Sequence, residues 1–567
     1  MKITIIKKFK CNVSALMVLM FAFVPCSFAQ NEGLNPAELL EPLEESWPTY
    51  SGDYTGQRYS RLTQVDKDNV QRLTLAWTME VNDTVRRGGG GGFFGSGSGV
   101  TTIQGGEGTG DFPIPGASIK GTVLEIDGVL YVTAPDHAWA IDARDGRELW
   151  HYFWKTKGST HIASRGAAVW HDSLFFETPD NYLVSLNMYT GEENWHVEIS
   201  SFEEQYFSTM APIVVNDHLW VGTGNDLDTP GFLQSFDPAT GELQWKFYTV
   251  PMNPGDPGLE TWPSLEAARH GGGQVWVPGV YDPETDYYIF GTGNPTPGYT
   301  GIGRLGDNLY TCSLMAIKVS TGEMMWYHQT SPHDTHDWDS AQTPILIDGD
   351  IDGVPRKLVS TAARNGYFFT LDRLTGESIV TEKYGTTANW DLGVRDSGSP
   401  EPNPAKEATI PGSLVSPIEG GVTNWQAPAF NPDFGLFYTH ENNGFNILYL
   451  TDPDPRGSMG LGGKRATIMG FDGNAFNAID YRTGKPKWRH VWPGGGGVGA
   501  GVLTTASGLV FTGDGNGNMV AFDGENGDLL WHTRIGNISN GPQTYMIDGR
   551  QYLLVAVGKR LYSFVMY

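Results

Sequence analysis

Cysteine is almost absent from this chain. Of its 567 residues only Cys11, Cys26 and Cys312 carry a thiol, and the first two fall in an N-terminal leader, so no internal disulfide is expected in the remainder. Basic residues are scarce: 38 lysines and arginines face 64 acids, for a formal net charge of -26. Such a field repels a phosphate backbone and argues against nucleic-acid binding. Long apolar runs are missing beyond the first segment, so no integral membrane segment is expected in the mature chain. That first segment holds Lys2, Lys7, Lys8 and Lys10, an apolar run from Val13 to Val24, and Ser27-Phe28-Ala29. The order is that of a secretory signal peptide cut after Ala29. With its four lysines gone, 34 basic residues face 64 acidic ones, a net charge of -30. A lipidated Cys26 fits poorly behind Val24-Pro25. The expected organisation is a leader over 1–29 and an exported, periplasmic, soluble domain over 30–567.

What the chain does have is glycine, proline and aromatic residues. Gly 74, Pro 34 and 12% aromatics point to a turn-rich, all-β chain with enough apolar material for a large core. Internal repeats then fix the architecture. Ala140-Ile141-Asp142-Ala143-Arg144-Asp145-Gly146 runs on to Trp150, and Ser235-Phe236-Asp237-Pro238-Ala239-Thr240-Gly241 to Trp245. Both have the form Asp-x3-Gly-x3-Trp. Variants end at Trp195, Trp326, Trp488 and Trp531, and a degenerate copy runs from Leu371-Asp372 through Gly376-Glu377. Asp127-Gly128 and Asp548-Gly549, set among alternating apolar residues, are hairpin signals. A spacing of 45 residues from Trp150 to Trp195 suits a four-stranded propeller blade. The chain therefore reads as a β-propeller, with about seven repeat signatures and an expected eight blades. Residues 86–110, rich in Gly and Ser, read as a mobile insertion.

A propeller alone does not reveal a function. The informative stretch is His333-Asp334-Thr335-His336-Asp337-Trp338-Asp339. Its three carboxylates suit a hard cation or a general base. If the segment is extended, Asp337 and Asp339 share a face. With Gly271-Gly272-Gly273-Gln274-Val275-Trp276, Gly291-Thr292-Gly293-Asn294-Pro295 and Arg364-Asn365-Gly366, from Trp47-Pro48-Thr49-Tyr50 onward, the chain resembles the quinoprotein alcohol dehydrogenases. Those are eight-bladed propellers that hold pyrroloquinoline quinone above a metal ion.

The resemblance implies a catalytic base at Asp337 and metal ligands at Asp226, Asn294 and Asp337, with Asp339 as the extra carboxylate of lanthanide-using members. The ion expected is Ca²⁺ or a lanthanide. It implies a stacking floor at Trp276, donors to the quinone at Arg165 and Arg364, and neutral partners at Thr209, Thr223 and Asn424. The reaction implied is oxidation of an alcohol, or of a sugar or aldehyde hydrate, with a c-type cytochrome as electron acceptor. Three departures stand out. Ser159 and Thr160 occupy the place of two bridged cysteines, Asp226 stands where relatives have Glu, and Gly499 stands in place of a pocket Trp. There is no Cys-x-x-Cys-His, hence no covalent c-type haem on this chain. The rival readings are a non-catalytic envelope scaffold of the same repeats and a relative that has lost its cofactor.

Overall fold

The computed structural model describes residues 33–85, 100–112, 114, 118–159, 161, 163–225, 227–340, 342–451, 473–492 and 499–567, together with the main chain of 463–469. The leader, residues 86–99 of the Gly-rich stretch, and Asp226 lie outside the described residues.

Eight sheets, each built on four antiparallel strands, follow one another along the described chain, and the short parallel strand Tyr59–Ser60 adds a fifth to the sheet that begins at Leu503–Thr505. Blade 1 runs from Leu124–Ile126 to Glu148–Trp154, blade 2 from Ala168–Trp170 to Glu193–Glu198, and blade 3 from Ile213–Val215 to Leu243–Tyr248. Blade 4 spans Val280–Asp282 to Met324–Gln329, and blade 5 Ile345–Ile351 to Ser378–Lys383. Blade 6 spans Ala429–Asn431 to Pro486–Val491, and blade 7 Leu503–Thr505 to Leu529–Arg534. Blade 8 closes the chain on itself. Leu73–Glu80 pairs antiparallel with Arg560–Met566, which is backed by Arg550–Val557 and Gln543–Ile547. The Asp-Gly hairpins form as expected, with Asp127 and Gly128 both at positive φ (52° and 81°), the conformation of a two-residue turn.

The repeat explains how blades join. The Trp that ends one copy lies over the Gly of the next: Trp150 over Gly191, Trp195 over Gly241, Trp245 over Gly322, Trp326 over Gly376 and Trp488 over Gly527. Each of these glycines has positive φ, between 71° and 81°, and a Cβ there would lie within about 3 Å of the indole. Indole N–H groups complete the joint, Trp150 Nε1 donating to Met188 O (2.9 Å) and Trp326 Nε1 to Arg373 O (3.0 Å). The degenerate copy in blade 5 has no Trp, and Val380 with Glu382 takes its place against Gly484.

Residues 100–110 of the expected insertion are among those described. Thr102–Gly105 adds to blade 1 as a fifth strand, parallel to Glu148–Trp154, because Gly105 is small enough to pass over the Tyr152 hydroxyl. Among the described residues no helix is long and apolar enough to cross a membrane.

In a four-stranded meander, the loop between the second and third strands and the crossover to the next blade leave from the same end. Arg165, Thr209, Trp276, Asp337, Asp339 and Asn424 all lie in blade-to-blade crossovers, while Thr223, Asn294 and Arg364 follow second strands. The topology thus sends all of them to one face.

Candidate active site

Of the sequence-predicted residues, Arg165, Thr209, Trp276, Asn294, Asp337, Asp339, Arg364 and Asn424 line a single cavity of about 210 Å³. Thr223 does not line it. It is fully buried beside Gly224, which does, and its Oγ1 has no partner among the described residues. Asp226 lies outside the described residues, although its neighbour Asn225 reaches the cavity wall.

The acidic end is held by local geometry rather than by strand alternation. Asp337 has φ 66°, so the segment is turned, not extended. Its conformation is set by Asp334, whose Oδ2 accepts the N–H groups of His336 (3.3 Å), Asp337 (2.9 Å) and Trp338 (3.2 Å). Arg304 in turn donates to Asp334 O (2.6 Å). His336 stacks on Trp338 (4.2 Å, 13°), and its Nε2 lies 3.0 Å from Lys406 O, which requires the proton on that nitrogen. Burial pulls His336 down to about 4, so it is neutral at pH 7.

Asp339 accepts from the Asn294 N–H (2.5 Å) and from Arg364 Nη1. Gly293 permits that approach, since a Cβ there would lie 2.9 Å from Asp339 Oδ1. Burial raises the Asp339 pKa, while Arg364, the Asn294 N–H and a hydrogen bond from Trp276 oppose the rise. Arg364 Nη2 donates to Glu419 O (2.8 Å) and lies 3.7 Å from Asp337 Oδ2. Burial acts to lower the Arg364 pKa, but Asp339, Asp337 and Asp334 outweigh it and hold the guanidinium above its ordinary value.

At the other end Arg165 donates through Nη1 to Thr209 O (3.1 Å) and Thr209 Oγ1. Its guanidinium lies over the rings of Trp276 (4.5 Å) and Trp425 (5.4 Å), within cation–π range. His161 stacks on Phe207 (4.8 Å, 25°), and both reach the cavity. The Asn424 amide serves its own loop, donating to Gly420 O (2.8 Å) and accepting from Trp425 N–H (2.8 Å).

Sequence reasoning missed Lys120, His161, Phe207, Gln274, Glu419 and Trp425. Trp425 carried the same signal as Trp276, a tryptophan outside the Asp-x3-Gly-x3-Trp frame. Gln274 lay inside the quoted motif 271–276 without being singled out, and the others carried no signal, because only the fold brings their crossovers to this face. Of the departures, Gly499 is exposed and Ser159 donates to His161 O (3.0 Å); neither lines the cavity. Thr160 lies outside the described residues.

The donor set suits a hard cation. Two buried carboxylates and the Asn294 amide supply oxygen only, and Asn294 Nδ2 is engaged by Pro295 O (2.9 Å), leaving its oxygen to coordinate. Among the described residues no group of three His, Cys, Asp or Glu side chains is arranged to hold a metal ion. With Arg364 between Asp337 and Asp339, the expected site depends on Asp226. A flat, acidic, carbonyl-bearing molecule also suits the cavity. The buried polar atoms Arg165 Nε, Arg364 Nε and Gln274 Oε1 have no partner among the described residues, and two indoles offer aromatic faces.

Comparison with known proteins agrees with this geometry. A family model for the glucose/ethanol/alcohol dehydrogenase β-propeller domain, termed PQQ, matches residues 47–384. A model for the outer membrane protein assembly factor BamB matches residues 472–564, a stretch that contributes no side chain to the cavity. Quinoprotein alcohol dehydrogenase PedH of Pseudomonas putida is 32% identical over 89% of this chain and 84% of its own. The quinohemoprotein alcohol dehydrogenase of Comamonas testosteroni is 32% identical over 90% of this chain and 72% of its own. The solved structure of the Comamonas enzyme superposes with a TM-score of 0.80 at 28% identity, covering 94% of this chain and 83% of that one. A europium-containing methanol dehydrogenase superposes at 0.78 and 26% identity, covering 93% and 99%.

Proposed function

This chain belongs to the quinoprotein glucose/ethanol/alcohol dehydrogenase β-propeller family, and from that premise we propose that it is a periplasmic dehydrogenase. It oxidises an alcohol, or a sugar or aldehyde hydrate, and passes electrons to a c-type cytochrome. The observation that carries the reading is the convergence of Asn294, Asp337, Asp339, Arg165, Trp276 and Arg364 on one cavity.

When bound, pyrroloquinoline quinone supplies the two-electron hydride acceptor and an oxygen-ligated Ca²⁺ or lanthanide ion supplies the polarising charge. Asn294, Asp337, Asp339 and Asp226 would hold the cation, and the Trp276 indole would hold the flat molecule by stacking. Arg165 would donate to its carboxylates and Arg364 to its carbonyl oxygens. Asp337 takes the substrate hydroxyl proton on a carboxylate oxygen, as a general base. The Arg364 guanidinium, 3.7 Å from Asp337 Oδ2, orients that carboxylate. Phe207 and Trp425 add apolar surface to the cavity lining.

The rival scaffold reading has no use for two buried carboxylates, an amide and two arginines turned into a cavity. The test is an absorption spectrum of the native protein together with dye reduction after addition of the quinone and either Ca²⁺ or La³⁺. Quinone absorbance and alcohol-dependent turnover are expected. A protein that binds no quinone and turns over no alcohol with either ion is a scaffold or a relative without its cofactor.

A further inference from the structure

Charge in the cavity is unevenly matched. Arg364 is paired with Asp339 and lies beside Asp337. Arg165 has no such carboxylate in hydrogen-bonding contact: its Nη1 bonds go to Thr209, and its Nε has no partner among the described residues. Burial takes it down to about 10, with Tyr50, Glu177 and Asp339 only partly opposing.

Lys120 stands beside Arg165 on the cavity rim, and its main chain explains why. Thr122 N–H donates to Arg165 O (3.0 Å), and Ile119 N–H donates to Gly558 O (2.8 Å). Ile119 O accepts from Ser539 Oγ (2.7 Å). Between them Gly121 lies so close to the Arg165 main chain that a Cβ would come within 2.4 Å of its carbonyl carbon. The segment is pinned on both sides of the lysine. No acid acts on Lys120 among the described residues; burial and Arg165 both lower its pKa. His161, on the same wall, is lowered by burial, Arg165 and Lys120. Two mutually repelling cations beside an imidazole kept neutral, in a chain of net charge -26, form a site whose repulsion an anion would relieve.

We propose that Lys120 is a counter-ion for a carboxylate of the bound quinone, supplementing Arg165 on the same cavity wall. The assignment rests on the quinone reading above. It makes Lys120 a cofactor-binding residue whose contribution is charge rather than shape.

The experiment is equilibrium binding to the full mature chain in Ca²⁺ buffer without substrate, followed by quenching of tryptophan fluorescence. The probes are pyrroloquinoline quinone and its trimethyl ester. Lys120→Met is expected to weaken binding of the acid at least about tenfold while leaving the ester within about twofold, and Lys120→Arg to retain most of the affinity for the acid. Near-UV circular dichroism checks that each variant is folded. Unchanged affinity of Lys120→Met for the acid overturns the assignment, as does equal weakening of acid and ester, which would mean a structural role. If the unsubstituted protein binds neither probe, the quinone reading itself fails.

Discussion

Arg364 and Asp339 form a buried ion pair in the cavity, each about 5% exposed, and the same guanidinium lies 3.7 Å from Asp337 Oδ2. One cation therefore lies against both carboxylates proposed as ion ligands, one of which, Asp337, is also the proposed proton acceptor.

Asp337→Asn keeps the shape of the side chain and removes its basicity. Alcohol turnover is expected to fall by a factor of about 10² or more, with quinone affinity and circular dichroism unchanged. Dye-linked kinetics on the reconstituted variant make the check, and retention of most of the activity would rule out Asp337 as the base.

Asp339→Asn removes one negative charge while leaving an oxygen to accept from the Asn294 N–H. A trivalent ion depends more on that charge than a divalent one. Activity with La³⁺ is expected to drop at least about tenfold relative to activity with Ca²⁺. The ratio of the two turnover numbers is the measurement, and an unchanged ratio removes Asp339 from the choice of metal.

His440, buried in blade 6, is pulled down to about 3 by burial, with Nε2 2.8 Å from Thr512 Oγ1. The unfolded chain protonates this ring below about pH 6.5, whereas the folded chain does not until about pH 3. The unfolded state therefore binds the extra proton in that window, and this group lowers stability as pH falls. His440→Gln is expected to flatten the loss between pH 6 and 4 by up to about 1.4 kcal/mol per pH unit. Urea unfolding at several pH values reads the slope directly.

Gly376 has φ 74°, and a Cβ on it would lie 2.6 Å from the Trp326 ring. Gly376→Ala is expected to lower stability by about 2–4 kcal/mol, combining left-handed strain with displacement of the indole. Gly353, with φ 79° and nothing within 4 Å, is the control. Gly353→Ala should cost only the strain, about 1–2 kcal/mol. Equal losses in denaturant unfolding would show that the Trp–Gly joint adds nothing.

Much of the fold was legible because each blade carries its own local instructions. Asp142, Gly146 and Trp150 specify a turn, a left-handed residue and a docking ring within nine positions, and the pattern recurs. Where the pattern faded, in blade 5, Val380 and Glu382 fill the place of the Trp, and position along the chain supplied what the motif did not. The site was partly legible for a different reason. Trp276 and the 333–339 segment depart from the repeat, and departures from a repeat mark residues with another task. Asp337 and Asp339 both line the cavity, but on a turned rather than an extended backbone, since strand alternation cannot anticipate Asp334 gathering three N–H groups into a turn.

By itself the sequence determined the blade, its repetition and which side chains fall outside the repeat, because these depend on neighbours a few residues apart. Only the tertiary structure decided that Lys120, His161, Phe207 and Trp425 share a wall with Arg165. Crossovers separated by some 300 residues meet when the ring closes through Leu73–Glu80 and Arg560–Met566. No local pattern encodes which loops then face one another, so proximity, and the charge balance that follows from it, belongs to the closed ring alone.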